Sequence, residues 1–291
     1  MTAPSLGFIG LGLMGTPIAC KLRETGYPLS VWGRRPESLK PLVDLGATAL
    51  PSAEAVASAS DIVFLCVTDT DAVESVVFGE AGVAAGGAAG KILVDHSSIK
   101  PDATREFAGR LHAACGMAWL DAPVSGGIPG VENKTLVVMA GGVTESFDRA
   151  HPVVMSYAGQ FTLMGPSGAG QATKLINQAL AGVNFALMAE VTRLALDAGI
   201  DAARVPQALG GGRGDSAILQ EYMPRMVARA FDPLGTVSVI LKDLETVVAL
   251  AREHGVAMPL TTLAMELHRL LVAKGAGDQD NAALIRLYDR N

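Results

Sequence analysis

The residue with the greatest chemical reach in this 291-residue chain is Lys174. Asn177 and Gln178 follow it at i+3 and i+4, on one face if the segment is helical, and Gly165, Gly168 and Gly170 precede it. Among Ala172, Thr173, Leu175 and Ile176 an ammonium that is partly stripped of water loses proton affinity and exchanges a proton near neutrality. The same lysine on a solvated face only snorkels to water. A second group is Ser125-Gly126-Gly127, whose N–H groups can cradle a carboxylate, although turn chemistry alone accounts for the same three residues. Histidine offers less. His96 adjoins a strand end, His112 and His151 sit in helical patterns, and His254 and His268 read as surface-helix positions. Cys20, Cys66 and Cys115 are odd in number, widely spaced and set in apolar or alanine-rich segments, so they read as buried thiols in a reducing compartment, with no metal site.

A third group is Gly10-Leu11-Gly12-Leu13-Met14-Gly15, which follows an apolar run (Leu6, Phe8, Ile9) and opens a helical pattern. In such a turn Gly10 permits the bend, Gly12 lets backbone approach a pyrophosphate, and Gly15 lets helix pack on strand, so the helix N-terminus faces a diphosphate. The second strand, Pro28 to Trp32, ends at Gly33-Arg34-Arg35, near the place where an acid would bind the ribose 2′-hydroxyl of NAD. Two guanidinium groups suit a 2′-phosphate instead, which predicts NADP(H) as the preferred cofactor with NAD(H) possible. The alternative is a solvated arginine turn indifferent to that phosphate.

These groups need a scaffold, and the pattern supplies one. Pro36 to Leu45 reads as a helix closed by Gly46, Ala47 to Leu50 as a short strand and Pro51 to Ser58 as a helix. Asp61 to Val67 and Lys91 to Asp95 are continuous apolar runs of the kind a parallel strand covered on both faces requires, so Thr68 to Asp71 falls on the ligand edge. A helix from about Asp102 to Ala114 precedes strands at Met117 to Asp121, Thr135 to Ala140 and Phe161 to Met164. From Gly168 a helical pattern without internal proline runs to Ala198. Helices then continue, broken at Gly199, Gly210 to Gly214, Pro233, Gly255 and Gly275. The reading is an α/β dinucleotide-binding domain over 1–165 and an all-α substrate and oligomerisation domain over 166–291, beginning with a long interdomain helix. The ends of the turn at 210–214 and of that helix are expected to meet the nucleotide at the domain interface, since sites tend to form where domains adjoin.

With 49% hydrophobic and 18% charged residues the chain can bury a large core, and its net charge of −6 disfavours nucleic acid or an anionic membrane as a partner. The first residues carry no basic n-region, and no run of about 18 uninterrupted apolar residues is present. A cytoplasmic protein acting on small molecules is expected. Apolar content in Val183 to Leu196 and Leu260 to Leu271 exceeds what one domain face needs, which predicts a homodimer or homotetramer.

Four ordered stretches, Gly7 to Gly15 with Pro17 and Ala19, Asp121 to Gly127, Gly168 to Gln178, and Lys242-Asp243-Leu244, resemble the β-hydroxyacid dehydrogenase family over nearly the whole chain. The resemblance implies a 6-phosphogluconate dehydrogenase-like architecture, a Rossmann-type α/β domain followed by an all-α domain. It implies that Lys174 is the catalytic acid–base, that Asn177 orients substrate or lysine, and that Ser125, Gly126 and Gly127 hold the substrate with Gln178, Arg213 and Ser216 nearby. It places Cys66, Val67, Thr68, Asp71, Ser98, Lys242 and Asp243 along the cofactor. The implied reaction interconverts a small β-hydroxy acid and its semialdehyde, as in 3-hydroxyisobutyrate dehydrogenases or 2-hydroxy-3-oxopropionate (tartronate semialdehyde) reductases. Gln178 and the spacing of Gly210 to Leu219 look most like the latter. Arg213, where an apolar residue is usual, either pairs with a second anionic group of the substrate or is solvated. The alternatives are an imine reductase of the same architecture, which usually lacks the lysine, and a non-catalytic dehydrogenase-like binding module.

Overall fold

Short apolar strands and amphipathic helices alternate through the first half of the chain. In the computed structural model, which describes residues 3–289, they build a nine-stranded sheet: β1 (Leu6–Ile9), β2 (Leu29–Trp32), β3 (Thr48–Ala49), β4 (Ile62–Leu65), β5 (Ile92–Asp95), β6 (Ala118–Asp121), β7 (Val124–Ser125), β8 (Leu136–Gly141) and β9 (Ala158–Gly165). The spatial order is β3, β2, β1, β4, β5, β6, β8, β7, with β9 on β8. The first six strands are parallel, β6 and β7 run antiparallel to β8, and β9 is parallel to β8. Order reverses between β1 and β4, which opens a crevice beyond their carboxyl ends.

All four residues of β1, of β4 and of β5 are buried, so the runs read as continuous apolar segments rather than alternating ones. The two faces nevertheless serve separate cores. Phe8, Phe64 and Val94 pack with Ile18 and Leu22 of the helix Gly15–Glu24, while Ile9, Val63, Leu65 and Leu93 pack with Val56, Val73 and Phe107 on the other side. Period-2 alternation places successive side chains on opposite faces. Phe64 stacks on Phe8 and His96 and meets Tyr157 edge-on.

Several elements depart from the sequence expectation. The helix expected over 36–45 is a 3₁₀ turn, Pro36–Ser38, and a short helix, Lys40–Asp44, divided where Pro41 enters near a fresh N-terminus. The segment 122–130, expected as a loop, contains β7 and the helix Gly127–Glu132, and further helices span Thr70–Phe78, Val83–Gly86 and Thr144–Val154. His268 is fully buried, with Nδ1–H donating to the Ala264 carbonyl 2.7 Å away, so it is not a surface histidine. The three cysteines are free and half-buried rather than buried.

The chain divides into two compact units at Lys174/Leu175. The second unit is helical, with Ala217–Val227, Val237–Glu253 and Pro259–Ala273 packed around Leu219, Met223, Leu244 and Met265, and a 3₁₀ stretch, Asn281–Tyr288, closing it. Among its described residues the only strand-like pairing is an isolated bridge between Thr236 and Asp280. The helix Ala169–Asp197 begins in the first unit and ends in the second; it is long and apolar enough, by length and composition alone, to cross a membrane. Its apolar sequence is interrupted by Gln171, Lys174 and Gln178, all buried.

Candidate active site

Beyond the carboxyl ends of β1 and β4 lies a cleft of about 470 Å³ lined in part by Gly10, Leu11, Gly12, Gly33, Arg34, Arg35, Cys66, Val67 and Thr68. Gly10 has φ +92°, and a Cβ there would run into the Cys66 carbonyl oxygen. A Cβ on Gly15 would strike the Gly10 carbonyl, so helix and strand touch backbone to backbone. A Cβ on Gly12 meets nothing within 4 Å. The turn is thus closed by Gly10 and Gly15 and open at Gly12, the cradle that a pyrophosphate at a helix N-terminus requires. Leu13 is exposed and Met14 half-buried at the N-cap of the Gly15–Glu24 helix. Arg34 and Arg35 are exposed at the cleft's rim, and Ser38 Oγ donates to the Arg35 carbonyl at 2.7 Å, holding that turn. Desolvation pushes the Cys66 thiol up to about 12, which disfavours its thiolate. Asp71 is exposed in the first turn of the Thr70–Phe78 helix, whose N-cap is Asp69, accepting from Ala72 N at 2.9 Å.

Lys174 keeps only 8% of its surface in contact with solvent. The helix that carries it is bonded into the sheet at its first turn. Asp121, the last residue of β6, accepts Gly168 N–H at Oδ1 (2.8 Å) and Gln171 N–H at Oδ2 (3.0 Å). Gln171 reaches back to the β5 loop, donating to Ser97 O at 2.7 Å and accepting from Ile99 N at 3.2 Å. Ser97 Oγ in turn accepts Val67 N–H at 3.0 Å, at the cleft. Ser98 is half-buried in the same loop.

Asp121 faces Asp95 in strand register, and both are fully buried. Burial pushes the Asp95 carboxyl up to about 7, with the Asp121 charge adding to the rise against the Ser97 hydrogen bonds. Burial likewise lifts Asp121 to about 6, opposed by the N–H groups of Gly168 and Gln171. Each buried carboxyl disfavours ionisation of its neighbour, and the N–H donors of Gly168 and Gln171 favour Asp121 over Asp95 as the anion. Beside them, His96 Nδ1 lies 2.5 Å from the Ala122 carbonyl and Nε2 lies 2.7 Å from Tyr157 Oη. A carbonyl only accepts, so Nδ1 carries the hydrogen and Nε2 takes the phenol's. Burial pushes His96 down to about 4; it is a neutral brace for the root of the 122–127 segment. Ser125 pairs with Val137 in the sheet, and Gly126 and Gly127 have φ of +122° and +61°, turning the chain into the Gly127–Glu132 helix.

In the second unit, Asn177 Nδ2 donates to Gln178 Oε1 at 2.9 Å, and Gln178 Nε2 donates to Asp243 Oδ2 at 2.6 Å. Asp243 is buried, and the Lys242 ammonium stands 3.4 Å from its other oxygen. Ser216 caps the Ala217–Val227 helix, accepting from Leu219 N at 3.0 Å. Arg213 is exposed in a turn built around Asp215, which takes Gly211 N–H at 2.7 Å and the Gln220 amide at 2.6 Å; those bonds hold its carboxyl below the usual range. The sequence reading assigned no role to Asp95, Ser97 or Gln171, and named Asp121 only within a motif. The one available signal was an apolar strand ending in aspartate, seen twice.

A parallel sheet that reverses order beside a glycine turn, followed by a helical unit, is the architecture of nucleotide-dependent dehydrogenases. The family model described as the NAD binding domain of 6-phosphogluconate dehydrogenase matches residues 5–165, and that described as NAD-binding of NADP-dependent 3-hydroxyisobutyrate dehydrogenase matches residues 168–288. A 2-hydroxy-3-oxopropionate reductase of Escherichia coli is 39% identical, over 98% of this chain and 97% of that one. An L-threonate dehydrogenase of Cupriavidus necator is 32% identical over 98% and 96%. The crystal structure of a 3-hydroxyisobutyrate dehydrogenase from Salmonella typhimurium superposes with a TM-score of 0.88 at 30% identity, covering 97% of this chain and 99% of that one. The chain belongs to the β-hydroxyacid dehydrogenase family. It is an oxidoreductase with NAD(P)-binding domains, acting on hydroxyl groups.

Proposed function

We propose that this chain interconverts a small β-hydroxy acid and its semialdehyde with NADP(H) preferred over NAD(H), and that Lys174 moves the proton. The observation that carries the reading is the burial of Lys174 one turn inside a helix whose start is bonded to the carboxyl edge of the sheet. Gly10, Gly12 and Gly15 hold the diphosphate at the helix N-terminus, Arg34 and Arg35 hold the 2′-phosphate, and Cys66, Val67, Thr68, Asp71 and Ser98 line the cofactor's side of the first unit, while Lys242 and Asp243 are assigned to the cofactor on the family resemblance alone. When bound, the nicotinamide gives or takes the hydride. Lys174 gives its proton to the alkoxide oxygen during reduction and takes it from the hydroxyl during oxidation. Ser125, Gly126 and Gly127 hold the substrate carboxylate, and the family resemblance assigns Asn177 to orienting substrate or lysine and Gln178 and Ser216 to substrate binding. Arg213 serves a second anionic group where the substrate has one. Similarity to the 2-hydroxy-3-oxopropionate reductase over nearly the full length favours that semialdehyde as substrate.

The second unit exposes Ile176, Leu180, Leu187 and Leu194 on one helix and Leu260, Leu263 and Leu270 on another, a spacing of apolar residues that suits pairing with further copies of the chain as a dimer or tetramer. Three free cysteines suit a reducing cytoplasm.

Initial rates test the reading. NADPH and NADH are compared with 2-hydroxy-3-oxopropionate, glyoxylate and succinic semialdehyde, and oxidation is followed with 3-hydroxyisobutyrate, L-serine and L-threonate. The expected result is a lower KM for NADPH than NADH, and a fall in kcat of about 10²-fold or more in Lys174→Ala. Equal KM values for the two nucleotides remove the cofactor preference. Turnover indifferent to Lys174 removes the acid–base role and favours imine reduction or a binding module.

A further inference from the structure

The start of the Lys174 helix is held by more than helix geometry requires. Asp121 spends both carboxylate oxygens on backbone donors of that start, and a charged acceptor on two N–H groups makes a strong, directional clamp. The surroundings leave the clamp no slack. A Cβ on Gly141 would lie 2.7 Å from each Asp121 oxygen and from Gly170 N, and a Cβ on Gly170 would lie 2.8 Å from Asp121 O and Oδ2 and run into the Met139 carbonyl. Two glycines on different elements are therefore pressed against one carboxylate. Gln171 adds a second hold, bonding both Ser97 O and Ile99 N. Ser97 itself bonds Val67 N at the nucleotide cleft.

The position of Asp121 in the chain gives this junction a purpose. Four residues after it in β7 comes Ser125, and three residues after Gln171 comes Lys174. Asp121 thus ties the root of the 122–127 segment to the base of the lysine helix, and Gln171 ties that same base to the loop at the cleft. We propose that Asp121 and Gln171 are positioning residues of the reaction, registering the Lys174 ammonium against the Ser125-Gly126-Gly127 segment and the nucleotide cleft. The inference rests on Lys174 being the acid–base. A misplacement of about 1 Å in a proton donor is enough to cost on the order of 10²-fold in rate, so the Asp121 clamp acts on the chemical step and not on nucleotide affinity.

A double-mutant cycle tests this. Single-turnover NADPH oxidation, with enzyme in excess over NADPH and the preferred semialdehyde saturating, is measured for the parent, Asp121→Asn, Lys174→Ala and the double variant. Asp121→Asn keeps size and one acceptor but turns an amide N–H toward a backbone N–H. Expected is a fall in rate constant of about tenfold or more in the parent background and less than about twofold in the Lys174→Ala background, with the NADPH dissociation constant unchanged. Gln171→Leu, carried through the same cycle with all NADPH bound, is expected to show the same coupling to Lys174, with a weaker NADPH dissociation constant because Gln171 also holds the 97–99 loop, and serves if Asp121→Asn does not fold. Equal losses in both backgrounds mean a merely structural role and overturn the proposal, as does an unchanged rate constant in the parent background. If Lys174→Ala itself keeps the parent rate, the acid–base reading falls and takes this inference with it; if Lys174→Ala collapses but the losses add, the inference alone falls.

Discussion

Gly10 and Gly12 lie two residues apart in one turn and meet different surroundings. Gly10 combines a left-handed φ with a close approach to the Cys66 carbonyl, whereas Gly12 looks into open space. Gly10→Ala is therefore expected to lower stability by about 2 kcal/mol or more, because alanine neither adopts that φ freely nor fits. Gly12→Ala should leave the thermal melt unchanged while raising the nucleotide KM by about tenfold, since its methyl would enter only the open space proposed above for the diphosphate. Melting curves and KM values on the two variants separate these outcomes; equal melting losses would show that Gly12 serves folding as well. The glycine spacing was legible in the sequence, but which glycine is crowded by the protein and which faces open space depends on distances to Cys66. His268 shows the same limit. Its helix was legible, yet the face it occupies was set by packing against Ala264 and its neighbours.

At the scale of elements, the parallel pairing of β5 with β6 brings Asp95 opposite Asp121. The Asp95 carboxyl stands at about 7 against an ordinary 3.8, so the folded state holds a proton that the unfolded chain releases. The stability this gives is present in full below about pH 4 and is lost as pH rises through about 7. Asp95→Asn cannot lose that proton. Its melting temperature relative to the parent should therefore climb from pH 5 to pH 8, by an amount corresponding to about 1–4 kcal/mol. A difference independent of pH would mean that Asp95 is ionised throughout. Each strand was readable as an apolar run ending in aspartate, but their adjacency was not, because register between strands 26 residues apart arises from how the sheet assembles. Short helices were missed for a related reason. Gly127–Glu132 contains three weak helix formers, two glycines and a proline, and is held by its place between β7 and β8 rather than by propensity.

For the whole molecule, the exposed leucines of the second unit carry the oligomer prediction. Leu180→Glu and Leu263→Glu should each reduce the mass seen by light scattering toward that of one chain, because a charge at either position opposes burial in an apolar interface. A parent that is already monomeric at micromolar concentration would refute the interface. The sequence by itself determined every strand but β7, the long helix, the nucleotide turn, the change from α/β to helical texture near residue 168 and the family, since these rest on local periodicity and on motifs spaced along the chain. Only the tertiary structure decided that Asp121 and Gln171 hold the lysine helix, that Asp95 shares its burial with a second carboxyl, and that Gln178 spends its amide on Asp243. Those are contacts between residues far apart in sequence, and their energies depend on burial and distance, which one-dimensional spacing does not contain.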